Sequence, residues 1–242
     1  GASLGATSAI LLGIGVSLGP NFVGIAAFIG AFAISLAVLF ISNLGGRSNS
    51  MKLLLAGMAL SAVCGAFSSF IVYFANNKEG MQTIAYWMMG SLAGAKWGEL
   101  AIIAPIIMAS VIFFWTQSRV LNLMLLGDES AITMGTDLHA YRQWYLLISS
   151  LIVGFAVYAA GMIGFVGLII PHVIRMFTGP DHKRLIPVSA LTGAIFLVIC
   201  DGLCRIIIPH TELPIGILIS MIGAPSFIYL MIKKTYGFGG ND

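Results

Sequence analysis

Groups able to do chemistry are few in this 242-residue chain: 12 Lys and Arg, 9 Asp and Glu, and 4 His. One polar stretch runs from Asp128 to Arg142 and opens with Asp128-Glu129-Ser130-Ala131-Ile132-Thr133-Met134-Gly135. Leu126-Gly127 stops the preceding helix, and Asp128 is placed to cap the next. Glu129 falls in the first turn, where the helix dipole favours negative charge, and Gly135 ends the turn. The spacing predicts a compact helix with small Ser130 and Ala131 near its start, open to close approach by another surface. A loop that is merely solvated is the plainer alternative.

A second constellation is Gly164-Phe165-Val166-Gly167-Leu168-Ile169-Ile170-Pro171-His172, followed by Arg175 and then Asp181-His182-Lys183-Arg184. Pro171 has no amide hydrogen and disfavours helix at the residue before it, so it bends or breaks the segment. Gly164, Gly167 and Pro171 are therefore the gate or hinge candidates. His172 lacks a second His or Cys three or four residues away and reads as a capping or packing residue, not a metal ligand. Asp181 and Pro187 frame the next helix. Twenty residues from Ile186 rise ~30 Å, which carries Arg205 to the far membrane surface with Asp201 one turn deeper on the same face. Two charges near the membrane edge are expensive unless paired or wet, so an Asp201–Arg205 ion pair is expected. Arg205 could instead meet an acidic external partner. Glu212 reads as a cap for the last helix.

No enzyme signature is present. There is no Gly-x-x-x-x-Gly-Lys-Ser/Thr phosphate loop and no His-Glu-x-x-His zinc helix, and no intramembrane acid pair stands ready to carry protons. Cys64, Cys200 and Cys204 lie in apolar runs and read as small packing residues. A gradient-driven secondary transporter would need titratable groups inside the bundle, and a membrane enzyme would have to be built from His172 and Asp181. A motor supplied from outside is the easier arrangement.

The elements holding these groups must be membrane helices. Charged residues make up 9% of the chain against about 25% in soluble domains, hydrophobic residues 59%, and mean hydropathy is +1.00. Apolar runs lie at roughly 4–19, 21–43, 53–74, 100–117, 143–161, 186–205 and 214–232, with a shorter one at 163–174. The expectation is an all-α bundle with about eight membrane helices, forming a single transmembrane domain over 1–242. Small-residue spacings such as Gly1-Ala2-x-x-Gly5-Ala6 and Gly15-x-x-x-Gly19 suit close helix packing. The segment 73–99, with Tyr86, Trp87 and Trp97, reads as an aromatic anchor along the outer leaflet.

Basic residues set the threading. Putting 44–52, 118–142, 175–184 and the C-terminal tail in the cytoplasm places Arg47, Lys52, Arg119, Arg142, Arg175, Lys183, Arg184, Lys233 and Lys234 inside. Only Lys78, Lys96 and Arg205 then fall outside, in keeping with the positive-inside rule. The chain starts at Gly1 without a methionine and without a signal-peptide pattern, which reads as a missing natural N-terminus.

Several segments taken together resemble a known family. They are Leu54-Leu55-Ala56-Gly57, Tyr86-Trp87-Met88-Met89-Gly90, Gln117-Ser118-Arg119, Leu126 through Gly135, Gly164 through Arg175, Asp181-His182-Lys183-Arg184, Glu212-Leu213-Pro214-Ile215-Gly216 and Gly223-Ala224-Pro225. In this order the chain resembles the FecCD-type permease subunit of ABC importers for iron-siderophores, haem and vitamin B12. The resemblance implies a ten-helix fold whose first two helices are absent here. It implies a paired permease, homodimeric or otherwise, with two cytoplasmic ATP-binding subunits and an extracytoplasmic binding protein. ATP and magnesium would bind the partner ATPase, with no cofactor on this chain. By the same resemblance Glu129, Ala131 and Gly135, with Asp128 and Ser130, belong to an ATPase-coupling loop. Arg205 would dock the binding protein, and helix 53–74 would line the translocation path. A bacterial inner membrane is the implied location and an iron-siderophore the first-choice cargo, with haem and cobalamin as alternatives.

Overall fold

The computed structural model describes residues 1–13, 21–44, 50–208 and 211–234, with the backbone alone at Glu129, Met231, Lys233 and Lys234. The expectations for Arg47, for the Gly15–Gly19 spacing and for the side chains of Glu129, Lys233 and Lys234 lie outside the described residues.

The described chain is helical, in the order α1 (Ala2–Leu12), α2 (Phe22–Asn43), α3 (Ser50–Ala75), α4 (Lys78–Met89), α5 (Trp97–Thr116) and α6 (Ser118–Leu125). It continues with α7 (Asp128–Thr133), α8 (Leu138–Ala160), α9 (Val166–Thr178), α10 (His182–Ile207) and α11 (Ile215–Lys234). Five of these helices, α2, α3, α5, α8 and α10, are long and apolar enough to cross a membrane. Helices α1 and α9 are shorter apolar elements, as is Ile215–Leu230 of α11. The expected count of about eight membrane helices is therefore not confirmed. The 13 residues of α9 rise ~20 Å, short of the ~30 Å of hydrocarbon.

Lipid is as apolar as these helices, so association rests on close fit rather than on escape from water. Helix α2 lies between α1 and α8, and α10 packs against α9, α5, α6 and α11. A Cβ added at Gly5 would fall 2.2 Å from the Ala26 carbonyl oxygen, and one at Gly1 would fall 2.4 Å from that of Gly30. The first small-residue spacing in the sequence is thus the α1–α2 contact. A second clasp joins α4, α8 and α11. There the Cβ of a residue at 216 would meet the Met89 carbonyl oxygen at 2.1 Å, and one at 161 would meet that of Trp87 at 2.7 Å. The Ser91 amide donates to the Ala160 carbonyl at 2.9 Å in the same place. Cys200 and Cys204 of α10 are buried with Ile215 and Ile219 of α11, in the packing role expected of them.

Polar ties sort the loops to two ends. At one end Gln143 donates to Asn43 (3.1 Å), Tyr145 to Gln117 (3.1 Å), the Trp115 indole to the Lys183 carbonyl (3.0 Å) and Asn122 to Asp181 (2.8 Å). At the other, the Asn21 amide donates to Glu99 (2.7 Å) and to the Tyr158 hydroxyl (3.1 Å). The segments around 117–145 and 175–184 therefore share an end, as their basic residues require. The aromatic segment expected at the other end contains a helix, α4, capped by the Asn77 side chain on the Gly80 amide at 3.0 Å. Tyr86 and Trp97 stay exposed, in keeping with anchoring.

These contacts predict that Gly5→Leu lowers stability by about 1–3 kcal/mol or more, because an overpacked contact must separate. Gly193→Ala in α10, where an added Cβ meets nothing within 4 Å, should leave the midpoint unchanged or slightly raised. Thermal unfolding of the two variants in detergent micelles checks both.

Candidate functional site

The loop between α5 and α8 is built from two short helices. After α5 ends at Thr116, Gln117 turns the chain and α6 begins at Ser118. The break falls where the apolar run of roughly 100–117 ends in the sequence, at polar Gln117-Ser118-Arg119. Gly127 has φ 89° and itself occupies the cap position of α7, with no side-chain cap bond. Asp128 is therefore not the cap, contrary to expectation. It is the first helical residue, and its carboxylate accepts a hydrogen bond from Arg142 of α8 at 2.5 Å. The Arg142 side chain is 12% exposed, so this charge-assisted bond is partly shielded and ties α7 to the start of α8.

Gly135 ends α7 as expected, and the geometry explains why glycine stands there. Its φ is 80°, a left-handed conformation that strains residues carrying a Cβ. The Gly135 amide reaches the Ile132 carbonyl at 2.9 Å and the Thr136 amide reaches that of Ala131 at 2.9 Å. That pair of bonds is a Schellman closure, which satisfies the last carbonyls of the helix. Ala131 is 0% exposed, so its small side chain admits the rest of this chain and not an outside surface. Ile132 and Met134 are exposed apolar residues of the α7 turn, as are Leu125 and Leu126 just before it, and nothing in their local sequence singles them out. Ser130 is half-buried, and only the backbone of Glu129 is described.

Arg205 stands at the opposite end. Its Nε donates to Asp201 Oδ2 at 2.9 Å, as the one-turn spacing predicts, and its Nη1 lies 3.9 Å from Glu212 Oε1. The guanidinium is 49% exposed, and five donors leave it capacity for another acceptor. Glu212 faces Arg205, while Pro214 immediately precedes α11 and accepts from the Ile217 amide at 3.1 Å.

Gly164, Gly167 and Pro171 flank a strained turn. Phe165 has φ 64° and precedes α9, with an added Cβ at Gly223 of α11 only 2.8 Å from the Phe165 Cβ. Gly164 lines a cavity of about 450 Å³ with Met88, Met89, Met162 and Met221. Pro171 sits inside α9, and His172 Nδ1 contacts the Leu168 carbonyl at 2.9 Å while its ring lies edge-on to Phe227. His172 is thus a packing residue, as expected. Asp181 caps α10 through the Lys183 amide at 3.0 Å. Hydrogen bonds from Asn122 and from that amide hold its carboxyl below the usual carboxylate range. The structure brings the loop residues together at one end and leaves Arg205 at the other. Among the described residues no three His, Cys, Asp or Glu side chains converge as a metal site.

Known proteins are similar to this chain in sequence and fold. The chain is 39% identical over 210 residues to the hemin transport system permease protein HmuU of Yersinia pestis, covering 87% of this chain and 62% of that protein. It is 39% identical over 231 residues to the cobalamin import system permease protein BtuC of Halobacterium salinarum, covering 96% of this chain and 61% of that one. The chain thus spans less than two thirds of the length of these relatives. A solved inward-facing metal-chelate type ABC transporter superposes with a TM-score of 0.86 at 30% identity, over 96% of this chain and 73% of that one. The sequence model of the FecCD transport family matches residues 1–233, from α1 through Lys233, and the chain belongs to that family.

Proposed function

We propose that this chain forms most of the membrane permease of an ATP-driven importer for metal chelates, without catalysis of its own. The observation that carries this reading is α7, a two-ended helical turn closed by glycines and presenting Ile132 and Met134 outward. In this reading the α6–α7 end faces the cytoplasm, together with the C-terminus and most of the basic residues. Two ATP-binding subunits, which hold the ATP and magnesium, engage the loop of this chain and of a paired permease. Nucleotide-dependent contacts there bias two packings of the bundle, and the bias equals the difference in contact free energy between the states. A gradient-driven transporter is disfavoured, because the long spans hold few ionisable groups.

Arg205, half-exposed at the outer end, is the docking point for an acidic residue of the extracytoplasmic binding protein. Asp201 holds the guanidinium in place for that contact. Relatives named for haemin and cobalamin favour a tetrapyrrole chelate over the iron-siderophore expected from sequence. The membrane is the cytoplasmic membrane of the source cell.

Gly135→Arg places a Cβ in a left-handed conformation and a long cation at the loop. Membrane insertion should persist, while ATP-driven uptake by the assembled transporter falls about tenfold or more, within the usual range of coupling energies. Wild-type uptake by this variant ends the coupling assignment. Arg205→Glu should weaken binding-protein docking, with the difference shrinking as salt screens the exposed pair. Docking unmoved by that reversal leaves Arg205 a structural residue. For the cargo, uptake into proteoliposomes should be competed by haem or cobalamin and not by a ferric siderophore.

A further inference from the structure

A second pocket lies at the same end as the coupling loop, on the side of α6 turned to α10. It encloses about 480 Å³ between the end of α5, α6 and the start of α10, and its lining includes Trp115, Ser118, Arg119, Asn122, Asp181 and Lys183. Its walls are fixed by hydrogen bonds between helices distant in sequence. The Trp115 indole donates to the Lys183 carbonyl at 3.0 Å. Asn122 donates to Asp181 at 2.8 Å and accepts from the His182 amide at 2.9 Å. Both cations, Arg119 and Lys183, are exposed, and neither makes an ion pair among the described residues. The one carboxylate in the pocket, Asp181, is engaged by Asn122 and the Lys183 amide as the cap of α10.

We propose that this pocket holds the headgroup of an anionic phospholipid, its phosphate between Arg119 and Lys183. Helices α5 and α10 are both long enough to cross the bilayer, so a pocket between their ends opens at headgroup level, beside the acyl chains. Exposed Trp115 is the residue type that settles at that depth. A guanidinium and an ammonium with no acidic side chain at ion-pair distance among the described residues are complementary to a phosphate, although Asp181 lies near Lys183. Guanidinium can grip a phosphate through two parallel hydrogen bonds. Basic pockets between membrane helices take acidic lipid headgroups for these reasons. The lipid would sit where α5 hands over to the loop helices and join α6 to α10. The proposal needs only that α5 and α10 span a bilayer, and it stands or falls separately from the transport reading.

The test uses the full transporter in nanodiscs of phosphatidylcholine with or without phosphatidylglycerol, with retained lipid counted by native mass spectrometry. Wild type should retain phosphatidylglycerol, and Arg119→Gln with Lys183→Gln should weaken that retention roughly 30-fold, since each basic residue near a membrane surface contributes a similar increment. Arg119→Lys with Lys183→Arg should restore much of it, and Lys78→Gln, at the other end, should change nothing. Equal retention in the double Gln variant overturns the proposal. So does displacement of the lipid by millimolar inorganic phosphate, which marks a general anion site. Loss of ATPase-subunit binding with unchanged lipid retention assigns the pocket to that protein instead.

Discussion

Close approach of helix backbones is the interaction on which the rest of this structure depends. Bilayer lipid competes with helix surfaces on equal terms, so small residues that admit a neighbouring backbone must do what a hydrophobic core does in water. Glycine at positions 1, 5 and 30 brings α1 onto α2, and Gly24 and Gly154 do the same between α2 and α8 against Tyr158 and Phe28. The remaining helices are placed from that pile. Helix α8, fixed along its length by α2, carries Arg142 at its start and so determines where Asp128 and α7 sit.

Polar side chains have a different task. Those that tie one helix to another gather, among the described residues, at the two ends, where water or headgroups lower the cost of exposing them. The Asn122–Asp181–His182 group and the Asn21–Glu99–Tyr158 group each join helices far apart in sequence. The spans between are left for packing. Such a bundle can transmit movement from one end to the other as a shift of rigid helices, because few polar contacts within it have to break.

Features written in local sequence were legible. The Asp201–Arg205 pair follows from one-turn spacing, the Asp181 cap from its position before a helix, and the Gly135 stop from glycine's tolerance of positive φ. The alternation of basic loops predicted which segments share an end. The misreadings arose where distant residues compete for a group. Asp128 has every local qualification for a cap, yet Arg142, fourteen positions on, takes its carboxylate while Gly127 occupies the cap position. Ala131 reads as a small, accessible residue until α7 folds back and buries it. The count of about eight membrane helices is not confirmed, since apolar composition sets where a helix is comfortable whereas its length depends on where it is broken, as at Phe165.

The clasp of α4, α8 and α11 bears on the order in which the molecule is made. Gly90 and Gly161 meet as soon as α8 has been synthesised, but the third member, Gly216 against the Met89 carbonyl, belongs to α11, made later. Until α11 leaves the ribosome, the methionine-lined cavity has no far wall, since Gly216, Ile217, Ser220 and Met221 supply it. Closing that end therefore follows the packing of α4 on α8 during synthesis. A nascent chain stalled before α11 would present thioether side chains and bare backbone to the insertion machinery.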